Sequence, residues 1–481
     1  MTDCLVLDDT KLLEVMNLLE KEFLLGLKDE EKATIKMLIT YVRSLPQHNE
    51  RGKYLALDLG GTNFRVILID LDRNNAPMDG QTFKIADKLM TSDGELLFDF
   101  IADCIMKFCA KRKLKNIRIA LGFTFSFPCT QLGLSQSRLN VWTKGFNCPN
   151  VVGKDVVKLL KTALKKKSKP NLFIDIVTVI NDTTGTLMSC AHKNPDCNIG
   201  LIVGTGTNAC YIEQLENIEK WPTNYDKPKQ VVINSEWGAF GDNGVLDFVR
   251  TVWDEEIDNQ SINKGRQKFE KMVSGMYLGE IVRHVLLSLI EKNLLFNGKL
   301  PKKLTEKNSY PTKCVSKVDT DSYENGFSTT KKLLNRDFKS INYTETDLRI
   351  IYLANNRVSR RAANLVASGC ATLINHMKRK DNTIAYDGSV IKLHPHFKVW
   401  IKEKIETLLK QSNNESNASF ALMLSEDGSG RGAAIVAAVS YRHKRPKIIK
   451  KDGKVIEIGC FPNKGRSVSL NALHSNENLI I

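Results

Sequence analysis

Asn181 and Asp182 stand where a β-type run, FIDIVTVIN, gives way to a helical stretch, DTTGTLMSCAH. A carboxylate at that junction lies at the mouth of an α/β cleft, a common place for catalytic groups. An ordinary N-cap aspartate is the alternative. Ser126 at the end of FTFSF, Thr143, Lys144, Asn208, Glu236 and Glu270 are polar residues that could converge on it. Together they offer the donors and acceptors needed to hold a polyhydroxyl ligand. Spacing alone does not bring them together.

Three glycine-rich turns point to a second kind of chemistry. DLGGTNFR at 58–65 lies between two short β-type runs. Glycines let the backbone approach a ligand, and successive N–H groups can form a nest for an anion. In that setting Asp58 reads as a holder of Mg²⁺ through water, and Thr62 and Arg65 as phosphate contacts. A hairpin turn needing positive φ is the alternative. No GK[ST] follows, so this is not a P-loop.

GTGTNA at 204–209 fits the degenerate GxGxxA dinucleotide pattern, but ACYIEQ alternates like a strand where a Rossmann unit opens a helix. A phosphate-binding hairpin is the better reading. SEDGSGRG at 425–432 precedes an Ala/Val-rich helix. It reads as an anion site at a helix N-terminus with Arg431 adding charge, or as a plain capped start.

These motifs need elements to position them. Residues 8–45 read as amphipathic helix, closed by Pro46. Strands are expected at 54–58, 64–70, 117–127, 173–181, 198–203, 209–213 and 418–424, and helices at 92–110, from 182, at 349–378 and from 432 to about 442. The strand–glycine turn–strand unit at 54–70 looks like the same device as that at 198–213. Mixed strands and helices with this spacing indicate α/β layers in two related lobes. The polar run at 299–345 reads as surface loop with little helix, and the last forty residues as a basic tail.

The chain has 481 residues, 42% of them hydrophobic and 26% charged, which excludes wholesale disorder and disulfide-stapled miniproteins. Seventy Lys and Arg against 54 Asp and Glu give +16, a balance that favours anionic partners. No aromatic–basic RNA motif accompanies it, so nucleic acid is not expected. The eleven cysteines contain no CxxC pair, which argues against structural zinc. No apolar run is long enough to span a bilayer, and MTDCLVLDDTK lacks the form of a signal peptide. A soluble, cytoplasmic protein is expected. His394 and His396 read as structural, and the lysines at 165–169 as a solvated helix end.

LDLGGTNFRV, GFTFSFP, WTKGF, NDTTGT, IVGTGTNACY, SEWGAFGDNG, FEKMVSGMYLGEIVR, YDGSVIKLHPHF and SEDGSGRGAA resemble the motif set of the eukaryotic hexokinases, in order, from about residue 50 to 440. The resemblance implies a two-lobed actin-like ATPase (ribonuclease H-like) α/β fold with a cleft between the lobes. Residues 1–49 would be an N-terminal helix of the large lobe, 50–180 the small lobe and 181–430 the large lobe. A helix at 431–445 would return to the small lobe, leaving 446–481 as a mobile tail.

It further implies ATP-dependent phosphorylation of the 6-hydroxyl of glucose, and of fructose and mannose, with Asp182 as general base. Ser126, Thr143, Lys144, Asn181, Asn208, Glu236 and Glu270 would bind the hexose, and Lys144 would also meet the transferring phosphoryl group. Asp58, Gly60, Gly61, Thr62, Asn63, Arg65, Thr205, Ser389, Ser425 and Ser429 would contact the nucleotide. Mg²⁺ would arrive with ATP, reached by Asp58 and Asp182 through water. A catalytically silent hexose sensor or scaffold is the alternative, and a chaperone-like ATPase a third reading. A monomer is the default, and the N-terminus does not resemble the segment some members use to dock on mitochondria. Thr91-Ser-Asp-Gly94, Thr207 and Ser235 depart from the family pattern.

Overall fold

The computed structural model describes residues 1–60, 63–73, 76–115, 117–142, 145–167, 172–222, 228–338, 341–412, 418–442, 447–451 and 454–458. In one large sheet, β1 (Lys53–Leu59), β2 (Asn63–Asp70) and β3 (Met78–Lys84) form an antiparallel meander. β4 (Ile117–Phe125) and β5 (Leu172–Ile180) join in parallel beyond β1, giving the order β3-β2-β1-β4-β5. The second sheet repeats this plan with β6 (Cys197–Val203), β7 (Thr207–Gln214), β8 (Gln230–Asn234), β9 (Asp381–Asp387) and β10 (Ser419–Leu424). Its order is β8-β7-β6-β9-β10, with the two-residue strand Leu38–Ile39 paired outside β8. In both sheets the first and second strands are joined by a glycine turn, so the repeated device read from the sequence is present.

Each sheet has its own core. α1 (Asp9–Lys28) buries Leu12, Val15, Met16, Leu19, Phe23 and Leu27 in the core of the second sheet. That spacing lays one stripe of the helix inward. α2 (Gly94–Lys111) and α3 (Val156–Lys167) share the core of the first sheet. Lys166 and Lys167, expected to be solvated, pair with Glu95 and Asp103 of α2.

Between the sheets lie α4 (Asp182–Ala191), on β6, β7 and β9, and the last long helix, Gly428–Arg442, on β1, β2, β4 and β5. These two helices cross at glycines. A Cβ on Gly185 would come 3.0 Å from the Gly428 carbonyl oxygen, and one on Gly432 would overlap the backbone of Gly185.

Three expectations are corrected. The N-terminal helix stops at Lys28, not near 45, because the chain folds back onto it. Thr34 donates its N–H and hydroxyl to Glu22 at 3.0 and 2.6 Å, and Ile35 and Met37 press against Gly26. The polar run at 299–345 contains the helices Thr312–Val318 and Ser328–Asp337, and buries Tyr310, Val315, Val318, Phe327, Leu333 and Leu334 in the larger core. Asp321 caps the second of these through the N–H groups of Thr329 and Thr330 at 2.9 and 2.7 Å. The final helix begins at Gly428 rather than Gly432, so the glycine motif is itself the first helical turn. In the tail, Lys447–Lys451 and Lys454–Ile458 pair antiparallel, while 459–481 lie outside the described residues. No helix among the described residues is long and apolar enough to cross a membrane.

The long helix Glu345–Met377 ends in a titratable lock. His376 Nδ1 meets Glu20 of α1 at 2.8 Å and Nε2 meets Glu213 of β7 at 2.7 Å. Burial opposes protonation, yet the two carboxylates prevail and raise the His376 pKa to about 9 from 6.5. The folded value lies above the unfolded one. Its stabilisation, on the order of 3 kcal/mol, is therefore complete below about pH 6.5 and is lost as pH rises through about 9. Between those pH values the thermal midpoint of the parent is expected to fall further than that of His376→Gln. Equal falls would show that this lock contributes nothing.

Candidate active site

β5 ends at Ile180 and α4 starts at Asp182, which places both residues of the Asn-Asp pair at a strand–helix junction. Asn181 is the cap: its Oδ1 accepts from Thr184 N–H at 3.1 Å, and its Nδ2 donates to Thr183 Oγ1 at 2.7 Å. Asp182 is the first helical residue, with Oδ1 accepting from Thr183 N–H at 2.8 Å. The simple N-cap alternative for Asp182 is thereby removed. Its half-buried carboxylate sits at the positive end of a ten-residue helix. Burial pushes the Cys210 thiol up to about 12, and the Asp182 charge adds to that shift, so Asp182 lies within Coulombic reach of β7.

β7 and β8 bring the next group together. Asn208 Nδ2 donates to Asn234 Oδ1 at 2.8 Å and to Glu236 Oε1 at 3.2 Å, and Asn234 Nδ2 reaches the same Glu236 oxygen at 2.7 Å. Glu236 N–H returns to Asn208 Oδ1 at 3.1 Å, and Glu236 holds a left-handed backbone with φ 57°. Glu270, on the short helix α5 (Lys268–Val273), accepts from Thr207 N–H at 2.9 Å. A Cβ at Gly206 would stand 2.5 Å from Glu270 Oε2, so this approach requires glycine there.

Just past the end of β4, Ser126 N–H donates to Leu59 O at 3.1 Å, beside Gly60. Burial also raises the Cys129 thiol to about 12, with the Glu236 charge contributing, so the hairpin strand Cys129–Gly133 faces the Glu236 side. Thr143 and Lys144 lie outside the described residues. Their flanks are fixed: Trp142 stacks on Phe146 at 5.4 Å and donates to Cys148 O at 2.9 Å.

The glycine turns also meet. Asp58 and Arg65 are directly opposite in the β1–β2 register, and Arg65 Nη2 donates to Asp58 Oδ2 at 3.1 Å. Arg65 also pairs with Asp427, and Ser429 Oγ donates to Asp58 Oδ2 at 2.7 Å. The first and third turns are thus tied together, with Arg65 engaged by carboxylates. Asn63 is exposed, and Gly61 and Thr62 lie outside the described residues.

In the second turn Gly204 N–H donates to Gly206 O at 2.9 Å and the Thr205 side chain is exposed. Asp387 at the end of β9 accepts from Gly388 N–H at 2.6 Å and Gly428 N–H at 3.4 Å, bringing exposed Ser389 next to the third turn. Two side chains turn away. Ser425 is fully buried, donating to Thr186 O at 3.4 Å, and Arg431 reaches Ala76 O at 3.2 Å, away from the turn to which it was expected to add charge.

Asn234, Asp387 and Asp427 were not among the residues read as functional. Asp387 and Asp427 adjoin quoted glycines, a usable signal; Asn234 carried none. His394, read as structural, is fully buried and paired with Asp319 at 2.8 Å.

Comparison with known proteins gives the same answer from two directions. Sequence profiles described as Hexokinase match residues 1–192 and 198–439. Hexokinase-1 of Homo sapiens is 41% identical over 442 residues, covering 90% of this chain and 47% of that protein. Mus musculus Hexokinase HKDC1 is 41% identical over 435 residues, with 89% and 46% covered. The chain spans about half the length of these curated relatives. A hexokinase from Schistosoma mansoni complexed with glucose superposes with TM-score 0.82 at 40% identity, covering 91% of this chain and 97% of that one. A second hexokinase crystal structure gives 0.78 at 31% identity, with 91% and 97% covered. With both halves matched by that family and the two-lobed architecture shared, this chain belongs to the hexokinase family.

Proposed function

We propose that the chain transfers the γ-phosphoryl group of ATP to the 6-hydroxyl of a hexose, the first step of glycolysis, with glucose, fructose and mannose as substrates. The observation that carries this reading is the position of Asp182: a half-buried carboxylate at a helix N-terminus, within Coulombic reach of the strand that carries Asn208, on a helix whose Gly185 packs against the third glycine turn. Likeness to a hexokinase complexed with glucose supports the choice of sugar.

Asn181, Asn208, Glu236 and Glu270 hold the sugar from the large lobe, and Ser126, Thr143 and Lys144 from the small lobe, Lys144 also meeting the phosphoryl group. Asp182 takes the proton of the 6-hydroxyl as the phosphoryl group leaves ATP. Gly60, Gly61, Thr62, Asn63, Thr205, Ser389 and Ser429 face the phosphates, where turn amides oppose charge on the γ-oxygens. Ser425 supports the turn from behind.

Among the described residues no group of three or more His, Cys, Asp or Glu side chains could hold a metal. Mg²⁺ would arrive on the nucleotide and neutralise phosphate charge there. Both contacts of Asp58 fall on Oδ2, so its carboxylate suits a hydrated cation. Small-lobe residues 50–180 and the helix from about 431, and large-lobe residues 1–49 and 181–430, grip the same sugar. Its binding therefore draws the lobes together and excludes water that would otherwise hydrolyse ATP. The free cysteines among the described residues fit a reducing compartment such as the cytoplasm.

The test is a coupled assay of the purified protein with ATP and each hexose. Hexose-dependent release of hexose 6-phosphate is expected. Sugar binding without turnover would replace this reading with the sensor.

A further inference from the structure

Helix α5 is six residues long, too short to hold its own conformation in water, yet it carries Glu270. The next residue, Lys271, points the other way and is 2% exposed. Its Nζ donates to Asp258 Oδ1 at 2.6 Å, Ser261 Oγ at 2.8 Å and Asn263 O at 2.9 Å, which uses all three ammonium donors. Asp258 also accepts from Gly265 N–H, at 3.0 Å on Oδ1 and 3.1 Å on Oδ2, with Arg250 at 4.0 Å.

Asp258 is itself anchored. It lies in the last turn of the helix Val252–Asn259, in which buried Asp254 takes two hydrogen bonds from Arg361 of the long helix at 2.6 and 2.7 Å. The same helix meets His284 through Glu256 at 2.6 Å. At its other end α5 is held by Asp242, which accepts from Gln267 and Lys268 N–H at 3.1 and 3.0 Å.

Successive helical side chains diverge by about 100°, so fixing Lys271 fixes the rotation that carries Glu270 to Thr207. Apolar residues of similar volume would hold the helix at lower desolvation cost, but without a directional register. We propose that the Lys271–Asp258 pair is a positioning device that aims Glu270 at Thr207 and so sets hexose affinity. This rests on the reading of Glu270 as a hexose ligand.

The test is a double-mutant cycle on the full chain: Glu270→Gln, Lys271→Met, both together, and Ser261→Ala. Lys271→Met is expected to raise the glucose KM about tenfold, with kcat within about threefold and the ATP KM within about twofold. In the Glu270→Gln background the same change should add less than about twofold, because its effect passes through Glu270. A folded Lys271→Met with parental glucose KM overturns the proposal, as does a full tenfold addition on top of Glu270→Gln. Should Lys271→Met fail to fold, Ser261→Ala decides, since it removes one Nζ partner without stranding a buried charge. A rise of about twofold in glucose KM alone supports the device, and no change overturns it. If Glu270→Gln itself leaves glucose KM unchanged, the hexose role of Glu270 fails first, which is a separate result.

Discussion

Asp182→Ala is expected to lower kcat by about 10³-fold while glucose still binds, as is usual when a positioned general base is removed. The variant should fold. Asn181, not Asp182, caps α4, so the substitution does not remove the cap, and the hydrogen bond it loses to the adjacent Thr183 N–H is local. Asn208, Asn234 and Glu236 are hydrogen-bonded to one another and Glu270 to Thr207, and these bonds survive the substitution. Asp182→Asn keeps the shape and removes the base, and should lose as much rate. Coupled-assay turnover gives kcat, and tryptophan fluorescence on glucose titration gives binding. Turnover of Asp182→Asn within tenfold of the parent would remove this residue from its role. Loss of binding equal to the loss of rate would make it a ligand instead of a base.

Much of this arrangement was legible because it is local. Glycines between two apolar runs announced the turns at 58–65 and 204–206, and the alternation in ACYIEQ distinguished a hairpin from a Rossmann helix start. What escaped depends on contacts between distant segments. Asn234 reaches Asn208 only because β8 pairs antiparallel with β7, in a register that sets Cys210 opposite Asn234. Asp319 lies far from His394 in the chain, so nothing near the histidine signalled its partner. Phe327, Leu333 and Leu334 lie in the polar run read as surface loop; they are buried because the larger core covers them. Arg65 reads as a phosphate contact from its place beside the first glycine turn, whereas the structure surrounds it with Asp58 and Asp427.

Gly432→Ala should be the most damaging small substitution between the lobes, although alanine is the better helix former by about 1 kcal/mol. Gly432 lies inside the final helix, where its missing Cβ leaves room for the backbone of Gly185 in α4; an added methyl would overlap the Gly185 carbonyl group and Cα. None of these atoms can rotate away. The helix cannot retreat toward the first sheet either, because Ala433 presses on Gly122 with no space for a Cβ between them. Relief requires moving a helix that packs on four strands, and overpacking of this kind costs about 1–3 kcal/mol, more where only backbone is available to yield. The steric term therefore outweighs the propensity gain. Gly133→Ala is the control, since its Cβ would meet nothing nearer than 3.9 Å. At one fixed scan rate, Gly432→Ala is expected to melt several degrees below the parent and Gly133→Ala close to it. Because α4 also carries Asp182, folded Gly432→Ala should lose kcat as well, through displacement of Asp182 relative to the glycine turns. A variant that melts and turns over like the parent would mean that the two helices are not in glycine contact.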